Sequence, residues 1–374
     1  NIMPSGRHEV HFDRILVEEL KKLGHEVSFY VPEGFKFSMD YHVPVKELPG
    51  QVVSYSDVKN IWKVFRSIKR EMHRMGWYKE LYRAAQRGEV DAIIVPTSTY
   101  RYLRAVAGSV LKKSPVPVVF ILHGINPREA GDFLKMAKKI ENCPALKPTV
   151  ISFADHIFGL QTKNLHTIYP PTYVPRDIDW IPGTPRKDSK GTLILGFFGQ
   201  FRREKRLVDF LDAYLSGNYT RPVKLLVQGA TMHPEDAQAF DDIIAKYKAA
   251  PGISFLHKGL IGREWQEAIS SVDALLLPYS ASRYRYHWGG MLFTAIGYQK
   301  PIVTSDDMNP EVFERFEVGE RFESGKIDDL KLVLTDFINR FDEREPIYRD
   351  ALSRAAAEYS PEAFARRLVK IITE

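Results

Sequence analysis

The stretch "YSASRYRYHWGG" (279–290) places cationic and aromatic side chains directly before two glycines. If the stretch is extended, Arg283 and Arg285 point to one side and the neighbouring tyrosines point to the other. Gly289 and Gly290 begin a helix-period segment, and the first backbone N–H groups of a helix have no partner inside it. Guanidinium groups and open N–H groups at a helix start favour an anion. We therefore expect a phosphate-binding site here.

A second candidate is His123, which directly follows the apolar run "VVFIL" (118–122). Ligands of parallel sheets bind beyond the carboxyl ends of the strands, and His123 is expected at such an end. An imidazole there could hydrogen-bond a sugar hydroxyl or act as a base near neutral pH. The alternative is a structural histidine whose hydrogen bonds are satisfied within the protein.

The elements that position these residues are read from short apolar runs bounded by Gly, Pro or charged residues, which predict buried strands. The runs lie at 26–31, 92–96, 117–122, 194–199, 224–229, 253–256, 274–279 and 301–305. Helix-period segments such as 10–24 and 235–250 alternate with them. This alternation predicts an α/β fold with doubly wound parallel sheets and right-handed crossovers.

The length of 374 residues predicts about two domains. The segment 175–190 is rich in Pro, Gly and charged residues and has no clear period, so we expect it to link the domains. The first domain would then span 1–180 and the second 190–360. A final helix within 361–374 could pack on either domain, and we favour packing back on the first.

The net charge of +6 and a pI of about 9.1 favour anionic partners, which include nucleotides, phosphates, anionic lipids and nucleic acid. The single cysteine, Cys143, excludes an internal disulfide framework and fits a reducing compartment. Neither a metal-ligand cluster, a recognised nucleic-acid motif nor a transmembrane run is evident, so we expect a cytoplasmic protein. The chain opens at Asn1 in a loop-like stretch, and we expect residues to precede it.

The order and spacing of several motifs resemble the GT-B glycosyltransferases, most closely those of family 4. The motifs are "PSGRHEVHFDRILVEELKKLGHEV" (4–27), "VVFILHGINP" (118–127), "GFFGQFRREKRLVDFLDAY" (196–214) and "QKPIVTS" (299–305). The resemblance implies two Rossmann-like domains that face a central cleft. The first would bind the acceptor, and the second would bind a nucleotide-sugar donor.

The resemblance also assigns phosphate-side residues. Lys205 stands where the family holds a lysine against the donor diphosphate, which gains negative charge as the glycosidic bond breaks. Gln200 stands where the family has an arginine, so Arg202 or Arg203 is expected to supply the missing charge. Gly6, in the first glycine-containing loop, would let the backbone approach a ligand closely.

Further donor contacts are implied along the second domain. Gly229 would end a strand at the cleft, and Leu260 and Ile261 would lie near the nucleotide base. The family carries a pair of glutamates, one near the transferred sugar and one on the ribose. Tyr286 and Thr294 occupy those two places here, so both carboxylates are missing.

The function implied is metal-independent transfer of a hexosyl-type unit from a UDP- or GDP-linked sugar. The acceptor would be a saccharide or lipid-linked glycan of bacterial-type polysaccharide synthesis. His123 and Lys205 would be the catalytic residues, and no cofactor is expected. The missing carboxylates leave two alternatives open. One is a nucleotide-sugar epimerase of the same fold, and the other is a non-catalytic nucleotide-sugar-binding partner protein.

Residues 59–88 form a basic helical segment with nine Lys or Arg against two Glu. Six large apolar residues are interleaved with these charges: Trp62, Phe65, Ile68, Met72, Met75 and Trp77. A basic helix with aromatic residues suits the surface of an anionic membrane. The alternative is a helix whose apolar stripe packs in the first domain. The segment therefore makes peripheral attachment to the inner face of a membrane one expectation.

Overall fold

The computed structural model describes residues 7–52, 60–153, 162–184 and 191–374. The chain divides into two compact units, of which the first comprises Asn1–Pro170 and Pro361–Glu374 and the second comprises Pro171–Ser360. The division falls before the segment 175–190, and the described residues of that segment are grouped with the second unit.

The elements are numbered in chain order. Those of the first unit are α1 (Arg7–Lys22), β1 (Phe29–Glu33), β2 (Val45–Gln51), α2 (Asn60–Gln86), β3 (Ile93–Val95), α3 (Tyr100–Ala107), β4 (Val118–Leu122), α4 (Ala130–Lys139), β5 (Leu146–Ile151) and β6 (His166–Ile168). Those of the second unit are β7 (Leu193–Phe197), α5 (Leu207–Leu215), β8 (Val223–Gly229), α6 (Pro234–Tyr247), β9 (Ile253–His257), α7 (Gly262–Ser270), β10 (Ala274–Leu277), α8 (Gly290–Gly297), β11 (Ile302–Ser305), α9 (Pro310–Arg315), β12 (Gly319–Phe322), α10 (Ile327–Asn339) and α11 (Phe341–Glu358). The last helix, α12 (Pro361–Thr373), belongs to the first unit.

The first unit contains a parallel sheet in the order β3-β4-β5-β6 and a separate parallel pair, β1-β2. Every residue of β4 is buried, as expected for an inner parallel strand covered on both faces. Helix α12 packs against α1, and the ring centroids of Phe12 and Phe364 lie 5.6 Å apart. The end of the chain thus returns to the first unit.

The second unit contains a six-stranded parallel sheet in the order β9-β8-β7-β10-β11-β12. This is the 3-2-1-4-5-6 order of Rossmann sheets. The inner strands supply the core with side chains such as Leu195, Phe197 and Leu276, all of which are fully buried. The α/β prediction with parallel sheets is confirmed.

The eight predicted strands are all present, with ends shifted by up to three residues. Strands β2, β5, β6 and β12 were not predicted. In β5, "LKPTVI", Lys147 and Pro148 interrupt the apolar pattern, yet both are buried. The sequence "VKELPGQ" of β2 lacks an apolar run and is mostly exposed, and this strand pairs with β1 alone among the described strands.

Candidate functional site

The carboxyl ends of β7 and β10 lie side by side, since these strands are hydrogen-bonded neighbours. The chain continues from β7 to β8 on one side and from β10 to β11 on the other, so the loops after the two strands diverge. Open parallel sheets bind ligands in the crevice at such a switch point. Here the two loops span residues 198–206 and 278–289 and contain most of the predicted phosphate-binding residues.

Lys205 lies in the first loop, in a short 3₁₀ helix (Arg203–Lys205), with only 6% of its surface exposed. Its Nζ is 4.4 Å from the ring centroid of Tyr279 and 5.6 Å from that of Phe197. An ammonium group over an aromatic face is attracted by the ring quadrupole. Burial, followed by the effect of Tyr284, raises the pKa of Tyr279 well above its ordinary value, so this phenol remains neutral. A buried cation is therefore held at the switch point.

Gly199 allows the close approach of three parts of this site. Its backbone φ is +111°, a conformation that favours glycine. A Cβ there would lie 3.3 Å from Lys205 Nζ and 3.8 Å from Met291 Sδ. Because Met291 belongs to the first turn of α8, the β7 loop, Lys205 and the start of α8 meet at this glycine.

The other predicted phosphate-side residues of the first loop lie nearer the surface. Gln200 forms a backbone bridge with Ala230, and its Oε1 accepts a hydrogen bond from Arg202 Nη2 at 3.2 Å. Arg202 and Arg203 are exposed. The loop thus joins two surface guanidinium groups to one buried ammonium group.

The second loop is not extended at its centre, because Ser282–Arg285 forms a 3₁₀ helix. Arg283 lies over the ring of Tyr284, with its Cζ 4.9 Å from the centroid and its Nη2 donating to the phenol oxygen at 3.2 Å. The ring of Tyr284 is in turn 5.2 Å from that of Tyr279. The alternation of arginines and tyrosines between two sides required an extended segment and is therefore not formed. Arg283, Tyr284 and Tyr279 instead contact one another in a series that reaches Lys205, while Arg285 remains exposed.

The two glycines do not present open N–H groups. The N–H of Gly289 donates to Asn309 Oδ1 at 3.1 Å, and that of Gly290 donates to the carbonyl of Trp288 at 3.0 Å. A Cβ on Gly289 would lie 2.6 Å from Met308 Sδ. The expectation that these groups lie open to an anion is wrong, and Gly289 is required by packing.

Asn309 holds the second loop and was not predicted. Its Oδ1 accepts from the N–H of Gly289, and its Nδ2 donates to the carbonyls of His287 at 3.1 Å and Tyr284 at 3.4 Å. Asn309 is buried and has a φ of 39°, which asparagine tolerates better than most residues. The Asn-Pro pair at the start of α9 was the available signal, since such a pair marks a turn.

The two residues in place of the expected glutamates have different surroundings. Thr294 is buried in the middle of α8, and its hydroxyl donates to the carbonyl of Gly290 at 2.8 Å. Its proton is therefore used within its own helix. Tyr286 ends the 3₁₀ helix and is exposed.

The predicted base-side residues divide into core and surface. A Cβ on Gly229 would lie 2.5 Å from the ring of Phe240, so this glycine is required for packing against α6. Leu260 is only 8% exposed and packs in the core, and its expected place beside the base stays a prediction. Ile261 is 58% exposed at the N-cap of α7 and remains available to a ligand.

In the first unit, His123 follows β4 as predicted and is half-buried. Its Nε2 lies 2.9 Å from the carbonyl oxygen of Pro96, and the ring of Phe12 meets it edge-on at 4.6 Å. A carbonyl can only accept, so Nε2 carries a proton and Nδ1 is the ring nitrogen that can take one up. Gly6 lies outside the described residues.

Helix α2 exposes an apolar stripe, formed by Phe65 (61% exposed), Ile68 (54%), Met72 (69%) and Met75 (36%). Their spacing of three, four and three residues places them on one side of the helix. Trp77 does not belong to this stripe, because it is buried and its Nε1 donates to the carbonyl of Pro49 at 2.9 Å. The side chain of Trp62 lies outside the described part. No helix among the described residues combines the length and apolarity needed to cross a membrane.

No protein-family model and no curated protein matches this sequence. Solved structures match along nearly the whole chain. HepE from Anabaena, in complex with UDP and glucose, is 15% identical with a TM-score of 0.65, and the match covers 100% of this chain and 97% of HepE. A glycosyltransferase from Rickettsia africae is 13% identical with a TM-score of 0.69, and the match covers 99% of this chain and 95% of the Rickettsia chain. WaaG, a glycosyltransferase involved in lipopolysaccharide biosynthesis, is 14% identical with a TM-score of 0.59, and the match covers 99% of this chain and 97% of WaaG.

The chain has the GT-B fold. In this GT-B chain the second unit carries a buried lysine in contact with aromatic rings at the switch point of its sheet, and the two loops there also contain arginines. Among the described residues no group of three or more His, Cys, Asp or Glu is arranged to hold a metal ion. Lys205 and the arginines of the two loops give this site positive charge, which suits an anionic ligand.

Proposed function

We propose that this GT-B chain is a glycosyltransferase that moves a sugar from a nucleotide-diphosphate sugar to a saccharide or lipid-linked acceptor. The observation that supports the proposal most is Lys205, a buried ammonium group at the switch point of the second sheet. The similar HepE structures contain UDP and UDP-glucose, which makes UDP the first nucleotide to test. The transferred unit is of hexosyl type, and neither a metal ion nor a cofactor takes part.

Lys205 would stabilise the departing diphosphate. Breaking the bond between sugar and diphosphate adds negative charge to the phosphate oxygens, and a cation fixed beforehand lowers the energy of that state. Tyr279 stays neutral beside Lys205, so it adds no competing negative charge. Arg202 and Arg203, at the surface of the same loop, would provide further hydrogen bonds to phosphate oxygens.

His123 would serve the sugar or the acceptor. Because its Nε2 donates to the carbonyl of Pro96, the ring is held in one orientation and its Nδ1 is the nitrogen able to accept a proton. In that role Nδ1 would accept a hydrogen bond from a sugar hydroxyl, or take up the proton of an acceptor hydroxyl during transfer.

The test is turnover of UDP- and GDP-linked hexoses with and without a panel of saccharide and lipid-linked acceptors. We expect nucleotide diphosphate to be released in amounts that depend on acceptor, and a glycosylated product to form. The variant His123→Ala should lower transfer but retain donor binding. Conversion of the donor sugar without any acceptor would instead support an epimerase. Binding of nucleotide sugars without any turnover would support a non-catalytic partner protein.

We further propose that α2 attaches the protein to the cytoplasmic face of an anionic membrane. The exposed stripe Phe65, Ile68, Met72 and Met75 would enter the interface between headgroups and acyl chains. Arg66 and Lys69 lie between these residues and are exposed, so they would contact anionic headgroups at about 1 kcal/mol each. Such attachment would bring the enzyme to lipid-linked acceptors.

A further inference from the structure

The first unit contains a cavity of about 390 Å³ beside the paired strands β1 and β2. Phe29 and Val45 line the cavity, and they are the first residues of the two strands and opposite each other in the pairing. The connection between the strands supplies the rest of the lining. The cavity therefore forms at the amino ends of β1 and β2, whereas His123 follows the carboxyl end of β4. It is distinct from the residues proposed for sugar transfer.

Three half-buried aromatic rings line the cavity and contact one another. The ring centroid of Phe29 lies 5.0 Å from that of Phe37 and 5.1 Å from that of Tyr41. The centroids of Phe37 and Tyr41 are 5.5 Å apart. The planes of the three rings are inclined to one another by 48° to 73°, so no two of them form a parallel slot for a flat base. Inclined aromatic faces instead suit an apolar surface that is not planar.

The polar side chains of the cavity suit hydroxyl groups. Asp40 is 74% exposed, and its carboxylate accepts from the backbone N–H of His42 at 2.8 Å and lies 3.1 Å from His42 Nδ1. A carboxylate has about four lone-pair positions, so Asp40 can accept further hydrogen bonds from a ligand. Ser38 adds a hydroxyl that can donate and accept. Asp40 is the one charged residue among the described residues of the lining, which disfavours an anionic ligand such as a nucleotide.

The segment that carries these groups is held against α1. The hydroxyl of Tyr41 donates to the carbonyl of Val10 at 3.2 Å, and Lys21 Nζ donates to the carbonyl of His42 at 3.4 Å. His42 has a φ of 52°, and the hydrogen bond from its N–H to Asp40 stabilises this turn. A segment that is fixed before binding loses little conformational freedom when a ligand arrives.

We propose that this cavity is a saccharide-binding site separate from the site of transfer. The C–H faces of sugar rings pack on Phe29, Phe37 and Tyr41, and sugar hydroxyls form hydrogen bonds with Asp40 and Ser38. A sugar ring fits these groups because it is neutral and not flat and carries both hydroxyls and apolar C–H faces. The choice of a saccharide rests on the proposed function, in which a saccharide is acceptor and product. The cavity binds sugar units of that chain other than the one that reacts.

Saturation-transfer NMR with maltose, cellobiose and lactose tests the proposal on the whole chain. Saturation of the aromatic protons of the unchanged protein should reach the C–H protons of at least one disaccharide. Phe37→Leu keeps an apolar side chain but removes a ring, and we expect it to raise the Kd of that disaccharide about tenfold. Phe35→Leu is the matched control, because Phe35 lies 5.0 Å from Phe37 but outside the lining, and its Kd should stay within about twofold.

Asp40→Asn tests the polar contacts, since it retains an acceptor for the N–H of His42 but removes the charge. It should raise the Kd of the disaccharide about threefold, with an unchanged melting temperature. Saturating UDP should not displace the disaccharide, and Phe37→Leu should bind UDP as the unchanged protein does.

Two results would overturn the inference: no disaccharide binds the unchanged protein, or Phe37→Leu and Phe35→Leu bind it equally. Displacement of the disaccharide by UDP would also overturn it, because a nucleotide would then occupy the cavity. In each case turnover of a nucleotide sugar by the unchanged protein would leave the proposed function in place. Disaccharide binding that depends on Phe37, in a protein that turns over no nucleotide sugar, would support the cavity and remove the proposed function.

Discussion

Lys205 and Lys300 are buried lysines of the second unit, and the ammonium group of each lies over an aromatic ring. Lys205 Nζ lies over Tyr279 at the switch point, whereas Lys300 Nζ lies 4.7 Å from the ring centroid of Trp180 and donates to the carbonyl of Ser270 at 3.2 Å. We attribute a ligand-binding role to the first and a structural role to the second. Lys300 is therefore the matched control for any experiment on Lys205.

His287 provides a prediction for the effect of pH on stability. Burial, and then Arg283, lowers its pKa to about 4 from the usual 6.5. Between these values the unfolded chain binds more protons than the folded protein, so the free energy of unfolding falls as the pH decreases from 6.5 to 4. We expect His287 to account for a loss on the order of 2 kcal/mol across this window.

The measurement is denaturant unfolding of the second unit at several pH values. Between pH 6.5 and 4 the free energy of unfolding of the His287→Asn variant should decrease less steeply than that of the unchanged protein. His233→Asn, which replaces an exposed histidine of the same unit, should keep the original pH dependence. Parallel stability curves for the unchanged protein and His287→Asn would refute this role of His287.

At the scale of elements, the loop before α8 is held in its conformation by the hydrogen bonds of Asn309, which lies at the start of α9. Asn309→Asp should retain the acceptor for the N–H of Gly289 but lose both donors to the loop carbonyls and bury a charge. We expect it to lower the free energy of unfolding by about 3 kcal/mol. Asn339→Asp is the control, because Asn339 also joins backbone groups but is only half-buried, and should cost less than about 1 kcal/mol. Similar costs for the two variants would show that Asn309 does not hold the loop.

Helix α2 is the element on which the proposed membrane attachment depends. In cosedimentation with anionic vesicles, Phe65→Ser combined with Met72→Ser should lower the partition coefficient at least about tenfold, since two large apolar groups no longer enter the lipid. Added salt should weaken binding by the unchanged protein. Leu332→Ser removes an equally exposed residue, 68% against 69% for Met72, from α10 and should have no effect. Equal binding to neutral and anionic vesicles would contradict the proposal.

For the whole molecule, the sequence predicts those features that arise from neighbouring residues. Runs such as "VVFIL" identify buried strands because every residue in them is apolar. The position of Lys205 was predicted from the order of motifs along the chain. The role of Asn309 was not predicted, because its hydrogen bond to Gly289 spans 20 residues. The alternation of charges considered for 282–285 required an extended segment. The segment forms a 3₁₀ helix instead, in which Arg283 lies over the ring of Tyr284.

The central claim is that the second unit binds a nucleotide diphosphate at Lys205. Titration calorimetry of UDP against the unchanged protein, Lys205→Met and Lys300→Met tests it most directly. Loss of a charge-assisted contact of about 2 kcal/mol should raise the Kd of Lys205→Met roughly 30-fold, while Lys300→Met binds UDP normally despite lower stability. A Kd for Lys205→Met equal to that of the unchanged protein, or weakening to the same extent in both variants, would contradict the claim.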